Sequence, residues 1–127
     1  MLWLAFKNEC ERALRWLLDS DPAFVNSKDK DNQSLQYIAV EQENEAVVVL
    51  LLDKGADVNA QGGYYGNALQ AASARGDKEI ATLLLDKDAD INAQGGHYGI
   101  ALQAALARGD KEMATLLQKQ GAFRAST

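Results

Sequence analysis

Residues 55–87 read GADVNAQGGYYGNALQAASARGDKEIATLLLDK, and residues 88–120 read DADINAQGGHYGIALQAALARGDKEMATLLQKQ. The two segments align without a gap, and 24 of their 33 positions are identical. Identity at a fixed period of roughly 20–50 residues is the signature of a repeat protein. The fold of this chain therefore depends on how one such unit stacks on the next.

One unit contains two short helices whose boundaries can be predicted. Ala68–Arg75 is rich in alanine, which favours a helix and lets a neighbouring backbone approach closely. Gly76 is expected to end that helix, because glycine readily adopts the positive φ of a helix C-terminus. Asp77 is a good N-cap for the next helix, in which Ile80 and Leu84 share one face. Two such helices cannot bury their apolar faces alone, but stacked units can.

The preceding unit is more divergent. Leu50–Lys54 matches Leu83–Lys87 at the same offset of 33 positions. Leu35–Gln36, by contrast, matches Leu69–Gln70 at an offset of 34. We therefore expect a one-residue displacement between positions 33 and 42.

The beginning of the chain predicts another helix pair, over Leu2–Leu18, without a hairpin before it. Within this pair we expect Trp16 to enter the core at the position used by Leu83. No preceding unit covers the first helix, so part of its apolar surface is expected to be exposed. We therefore expect one of two explanations. Either the chain is a fragment of a longer array, or it has a surface for self-association or for binding a partner, formed by Leu2, Trp3, Leu4 and Phe6.

The composition excludes several classes of function. The net charge is −5, with 13 Lys and Arg against 18 Asp and Glu, and the basic residues are scattered. Nucleic acids and anionic membrane surfaces require clustered positive charge, so we predict neither as a partner. The longest apolar runs, Met1–Phe6 and Ala46–Leu52, are too short to span a bilayer.

The single cysteine also restricts the chemistry. Cys10 cannot form an intrachain disulfide, which favours a reducing compartment, and we predict an intracellular protein, cytoplasmic or nuclear. Cys10 stands between Glu9 and Glu11, whose charges disfavour a thiolate. We therefore do not expect Cys10 to act as a nucleophile.

The order helix, Gly-Asp, helix, Leu-Leu-Leu and then Gly-Ala-Asp-Val-Asn-Ala resembles the ankyrin repeat. The resemblance covers Leu2–Ala122 and implies an all-α solenoid of about four stacked helix-turn-helix pairs with hairpin loops. It implies one domain over residues 1–127, with units at roughly 1–21, 22–54, 55–87 and 88–120. The near-identical Gly-Gly-Tyr-Tyr-Gly units are similar to the long tandem arrays of fungal multidomain signalling proteins.

Some residues depart from the family's pattern. Ankyrin units usually begin the first helix with Thr-Pro-Leu-His, whereas this chain has Asn67–Gln70 and Ile100–Gln103. Asn67 and Gln70 are expected to replace part of the hydrogen bonding of Thr and His, which Ile100 cannot do. Asp88 stands where the family has glycine, so we expect strain at that helix end.

The resemblance implies recognition of a protein partner through a concave face built from hairpins and first helices. It implies no catalytic residue, no cofactor and no metal. The side chains expected to contact the partner lie at hairpin tips or on open first-helix positions: Lys30, Asn32, Tyr64, Tyr65, Asn67, Gln70, Arg75, His97, Tyr98, Gln103 and Arg108.

Other functions remain open at this stage. The loop Gln61–Gly66 is glycine-rich, but no lysine follows it as in a phosphate-binding loop, so we interpret it as a hairpin. A small-molecule-binding protein or small enzyme is the alternative, with His97 as a general base in a groove lined by His, Tyr, Gln and Arg. The lack of a nucleophile–base pair or a set of metal ligands disfavours it. A purely structural fragment or an engineered array is a third possibility.

Overall fold

A computed structural model of the chain describes residues 11–121. Within this range the chain is helical and forms no β-strand, which confirms the predicted fold class. The seven α-helices are α1 (Glu11–Ser20), α2 (Leu35–Glu41), α3 (Glu45–Asp53), α4 (Ala68–Arg75), α5 (Lys78–Asp86), α6 (Ala101–Arg108) and α7 (Lys111–Lys119). A 3-10 helix, Pro22–Asn26, follows α1. The apolar cluster of Leu2, Trp3, Leu4 and Phe6 and the lone Cys10 lie outside the described residues.

The helices form two rows. The first helices of the units, α2, α4 and α6, pack side by side. The second helices are α1, α3, α5 and α7, of which α1 packs on α3 and α3 on α5. Leu18, Leu51, Leu84 and Leu117 recur at the repeat period along the second helices, and each is at most 1% exposed. The core is therefore a repeated layer between the two rows, as in a solenoid. The division into units at positions 21, 54 and 87 stays a prediction.

The N-caps of the first helices keep the period of the repeat. Ser34, Asn67 and Ile100 immediately precede α2, α4 and α6. The Ser34 hydroxyl accepts from the Tyr37 N–H at 3.1 Å, and the Asn67 amide oxygen accepts from the Gln70 N–H at 2.8 Å. Ile100 makes no side-chain cap, as the sequence predicted.

The second helices have the same spacing. Asn44, Asp77 and Asp110 cap α3, α5 and α7 through their side-chain oxygens. Because both sets of caps recur at one constant offset, the displacement predicted between positions 33 and 42 is wrong. The match of Leu35–Gln36 to Leu69–Gln70 is coincidental, and the residue that corresponds to Gln70 is Tyr37.

Trp16 does not enter the core. Its side chain is 67% exposed, so the prediction that it replaces Leu83 is wrong. Counting from Trp16 by the repeat period reaches Val49 and Thr82, which are both exposed. The tryptophan therefore lies on the outward side of the row of second helices.

Two non-glycine residues occupy the left-handed region at helix ends. Glu43 has φ 57°, at the position where the next unit has Gly76 with φ 77°. Asp88 has φ 68°, at the position of Gly55. A side chain in this region costs free energy because its Cβ crowds the backbone, which agrees with the strain predicted at Asp88.

We predict that Glu43→Gly raises the free energy of unfolding by about 0.5–1 kcal/mol, because relief of the left-handed strain exceeds the entropy cost of a glycine. Urea denaturation measures the change. Gln42 is a neighbour with φ −84° and an exposed side chain, so Gln42→Gly is the matched control and should lower stability. Equal effects of the two substitutions would contradict the prediction.

Candidate functional site: the aromatic hairpin surface

Four aromatic rings from two consecutive hairpins form one cluster. Tyr64 stacks on His97 with ring centroids 4.7 Å apart and an angle of 20° between the planes. Tyr65 lies parallel to Tyr98 at 6.2 Å and 9°. Within each hairpin the two rings meet edge to face, Tyr64 with Tyr65 at 4.9 Å and His97 with Tyr98 at 4.6 Å. We call Tyr64, Tyr65, His97 and Tyr98 the ring cluster.

The backbone of the hairpins sets this arrangement. In each hairpin the N–H of the first glycine donates to the carbonyl of the last, Gly62 to Gly66 and Gly95 to Gly99, both at 2.8 Å. Between hairpins, the His97 N–H donates to the Tyr64 carbonyl at 2.9 Å. Corresponding residues are thus placed side by side, which is why like positions stack in the ring cluster.

The buried side chain of Tyr37 forms a hydrogen bond with the hairpin Gln61–Gly66, a contact that the sequence alone did not predict. Its ring is 1% exposed, and its hydroxyl oxygen accepts a hydrogen bond from the Tyr65 N–H at 2.9 Å. Burial raises the pKa of Tyr37 to about 12, against the lowering effect of that hydrogen bond. A constant offset along the chain would have identified it, since Tyr37 then aligns with Gln70.

Gln70 also forms hydrogen bonds with a hairpin, the following one at Gln94–Gly99. Its amide nitrogen donates to the carbonyls of Gly95 and Gly99, both at 2.9 Å. Gln70 is 2% exposed and Asn67 is 1% exposed, with the Asn67 oxygen used as the cap of α4. This corrects the predicted contact set, because both side chains are inside the molecule and cannot meet a partner.

Lys30 and Asn32 are exposed on the hairpin before the ring cluster. This hairpin adjoins the next one, because the Lys28 ammonium donates to the Gln61 carbonyl at 2.6 Å. The Asn32 carbonyl also lies so close to Gly62 that a Cβ there would be 1.9 Å from it. The structure therefore places Lys30 and Asn32 on the same hairpin edge as the ring cluster.

Arg75 and Arg108 do not lie on the hairpin edge that carries the ring cluster. Each is the last residue of its first helix, whereas the hairpins precede those helices. Arg75 lies 3.4 Å from the Glu43 carboxylate, and Arg108 donates to the Ala74 carbonyl at 3.2 Å. A helix of this length is about 12 Å long, so the two arginines do not belong to the ring cluster.

The charges beside Arg75 include a partly buried carboxyl. Burial raises the pKa of Glu41, and the negative charge of Asp29 raises it further. The positive charge of Arg75 acts in the opposite direction. Charges of both signs, on Glu41 and Arg75, therefore lie near the C-terminal end of α2, away from the ring cluster.

Gln103, the last member of the predicted set, lines a groove next to the ring cluster. The groove has a volume of about 360 Å³ and is lined by Gln94, Gly95, Tyr98, Gly99, Ile100 and Gln103. Gln103 is half-buried, unlike Gln70 at the corresponding position. The structure thus brings Tyr98 and Gln103 together at one surface.

Two further properties concern only residues 11–121. No helix in this range has the length and apolar character needed to cross a bilayer. The same range contains no group of three or more His, Cys, Asp or Glu side chains placed to bind a metal ion.

The chain is similar to known proteins over most of its length. A family model described as "Ankyrin repeats (3 copies)" matches residues 1–95. The serine/threonine-protein kinase VIK of Arabidopsis thaliana is 38% identical over 81 residues, which is 63% of this chain and 18% of that kinase. The family match ends inside the hairpin at residue 95, although α6 and α7 beyond it repeat the spacing of α4 and α5.

We predict that Tyr37 makes the stability depend on pH above about 10. Its folded pKa of about 12 exceeds the usual tyrosine value of about 10, so the stabilisation is complete below pH 10 and is lost as pH rises through 12. Tyr37→Phe should be less stable than wild type by about 1–2 kcal/mol at pH 7, because the Tyr65 N–H loses its acceptor. Urea denaturation at pH 7, 9 and 11 should show this gap narrowing at pH 11, and a constant gap would refute the prediction.

We also predict that Gln70→Ala and Gln103→Ala differ in effect although they change the same position in successive units. Loss of Gln70 removes two hydrogen bonds to the next hairpin and should cost about 2–3 kcal/mol of unfolding free energy. Gln103→Ala should change it by less than about 0.5 kcal/mol, since its side chain is partly exposed. Chemical denaturation of both variants measures the difference, and equal losses would contradict it.

Proposed function

Because the chain belongs to the ankyrin-repeat family, whose repeats are generally protein–protein interaction modules, we propose that it binds a protein partner through its hairpin edge. The centre of the contact is the ring cluster. Lys30 and Asn32 extend it towards α2, and Gln103 extends it towards α7.

The observation that carries this proposal is the exposure of stacked aromatic rings. Tyr64 is 58% exposed, and His97 is also exposed, while Tyr65 and Tyr98 are half-buried beneath and beside them. The rings are positioned by one another and by backbone bonds, so little conformational entropy remains to be lost on binding. Rigid, partly exposed tyrosines are common anchors of protein interfaces.

The similarity to VIK supports a modular role. The aligned residues make up 18% of that kinase, so the likeness concerns one segment of a longer protein. We therefore propose that this chain contributes recognition of a partner within a larger assembly. The partner is expected to be intracellular, in keeping with the single cysteine of the sequence.

The proposed surface suits a partner segment with apolar or planar groups. The hairpin before the ring cluster carries Asp29, Lys30 and Asp31, so charges of both signs lie next to the rings. Such an arrangement resembles an interface with an aromatic centre and a polar rim. The rings would supply the affinity, and the neighbouring charges would select the orientation.

We predict that Tyr64→Ala combined with His97→Ala weakens partner binding at least thirtyfold, because loss of anchor residues typically costs about 2 kcal/mol or more. Partners are first identified by affinity capture and quantitative mass spectrometry, and the affinity of a purified partner is then measured by calorimetry.

Trp16→Ala is the matched control for this experiment. It also removes a large exposed aromatic side chain, but from the outward side of α1 rather than from the hairpin edge. Its affinity for the partner should stay within twofold of wild type. A loss for Trp16→Ala with no loss for the double variant would place the binding face on the second helices and refute the proposal.

A further inference from the structure

The outward surface of the second helices carries two apolar side chains next to two opposite charges. Trp16 on α1 is 67% exposed, and Val49, one repeat period later on α3, is 38% exposed. Arg12 precedes Trp16 by four residues, Glu45 precedes Val49 by four residues, and both charged side chains are exposed. Side chains four residues apart share one face of a helix, so each helix presents one charge beside one apolar group. We call Arg12, Trp16, Glu45 and Val49 the outer patch.

The two helices of the outer patch are held side by side. The helix α1 packs on α3, and near their C-terminal ends the Lys54 ammonium donates to the Asp19 carboxylate. Second helices of stacked units run in the same direction, so corresponding residues lie at the same height, separated by the usual interhelical distance of about 8–10 Å. The two charges of the outer patch are therefore level with each other, and so are its two apolar side chains.

The stacking of units does not cover this surface. Val49 lies on α3, which packs on α1 at one side and on α5 at the other, and the side chain is still exposed. Its exposure therefore does not depend on where the array ends. The combination is also not repeated along the chain, because α5 has Lys78 and Thr82 at the corresponding positions. The third unit thus offers neither the acidic nor the apolar group of α3.

The outer patch is complementary to itself. A two-fold axis that runs parallel to α1 and α3, midway between them, places α1 of one copy against α3 of the other. Because the axis is parallel to the helices, every residue keeps its height. Arg12 of each copy then faces Glu45 of the other copy, and Trp16 faces Val49. Each contact is formed twice, and each of the two charge pairs joins opposite signs.

We propose that this chain forms a two-fold symmetric dimer through the outer patch. The tryptophan is the apolar anchor, since large aromatic side chains supply much of the binding energy of interfaces. The charge pairs select the register, because like charges would be opposed if α1 met α1. A second copy is the occupant that fits, because one set of residues provides both halves of each contact.

The dimer is expected to be weak and independent of the ring cluster. Each copy contributes only two helices to the contact, which places the Kd at about 10–100 µM. Tyr64 and the other members of the ring cluster lie on the hairpins and take no part in it. This inference therefore goes beyond the proposed function and does not rest on it.

The test measures the oligomeric state of the full chain by sedimentation equilibrium at low salt, between about 5 µM and 1 mM. We expect dimers whose fraction rises with concentration. Trp16→Thr gives α1 the residue that α5 has at this position, and it should weaken dimerisation at least tenfold. Tyr64→Ala is the matched control, because it removes another exposed aromatic ring, and the dimerisation constant should stay within twofold of wild type.

An exchange of charges makes the test specific for the two-fold contact. Arg12→Glu opposes two carboxylates in each charge pair, and Glu45→Arg opposes two guanidinium groups, so each variant alone should dimerise at least tenfold more weakly. An equimolar mixture of the two variants restores opposite charges in both pairs and should form heterodimers about as tightly as wild type. Circular dichroism verifies that each variant keeps its helices.

Several outcomes would overturn the inference. These are a folded chain that stays monomeric at about 1 mM, or a mixture of the two folded charge variants that stays monomeric. A dimer that persists in Trp16→Thr but is lost in Trp3→Ser would place self-association on the apolar cluster at the start of the chain. If no dimer forms while Tyr64→Ala with His97→Ala still weakens partner binding, this inference fails and the proposed function stands.

Discussion

The architecture depends on polar side chains that reach from a first helix into the backbone of the following hairpin. Gln70 bonds to two carbonyls of the hairpin after it, and Tyr37 accepts a backbone N–H from the hairpin after its own unit. A hairpin rich in glycine has few side chains to bury, so it cannot be stabilised by packing alone. Buried hydrogen bonds from the neighbouring unit supply that stability, because an unpaired backbone group in the interior is costly.

This constraint connects the fold to the proposed contact surface. Since the buried side chains position the hairpin backbone, the backbone in turn sets where the rings of the ring cluster lie. The His97 N–H bond to the Tyr64 carbonyl aligns the two hairpins, and the four rings then stack in pairs. The inner polar contacts and the outer aromatic surface are two sides of one arrangement. Stability and the proposed recognition therefore involve different residues, with Gln70 buried on α4 and Tyr64 exposed on the hairpin surface.

Repetition also explains why one molecule contains two surfaces of nearly the same composition, one around Gln70 and one around Gln103. The units differ at only a few positions, and most of these differences lie on the surface or at caps. Ile100 is one such difference, because it removes the side-chain cap that Asn67 provides to α4. His97 is another, because it changes the ring that stacks on Tyr64 without changing the backbone.

The period of the repeat, the helix boundaries at Gly76 and Asp77, and the turn role of the glycines follow from local rules, and the sequence was sufficient to predict them. The positions of Tyr37, Gln70 and Trp16 were decided by contacts between units. A local pattern gives the phase of a helix, but burial depends on what lies across from it, a whole repeat away in the chain. A one-residue error in the offset hid Tyr37, and the exposed position of Trp16 emerged only from the stacked helices. The ring cluster likewise exists only because two hairpins, distant in sequence, are brought side by side by the tertiary structure.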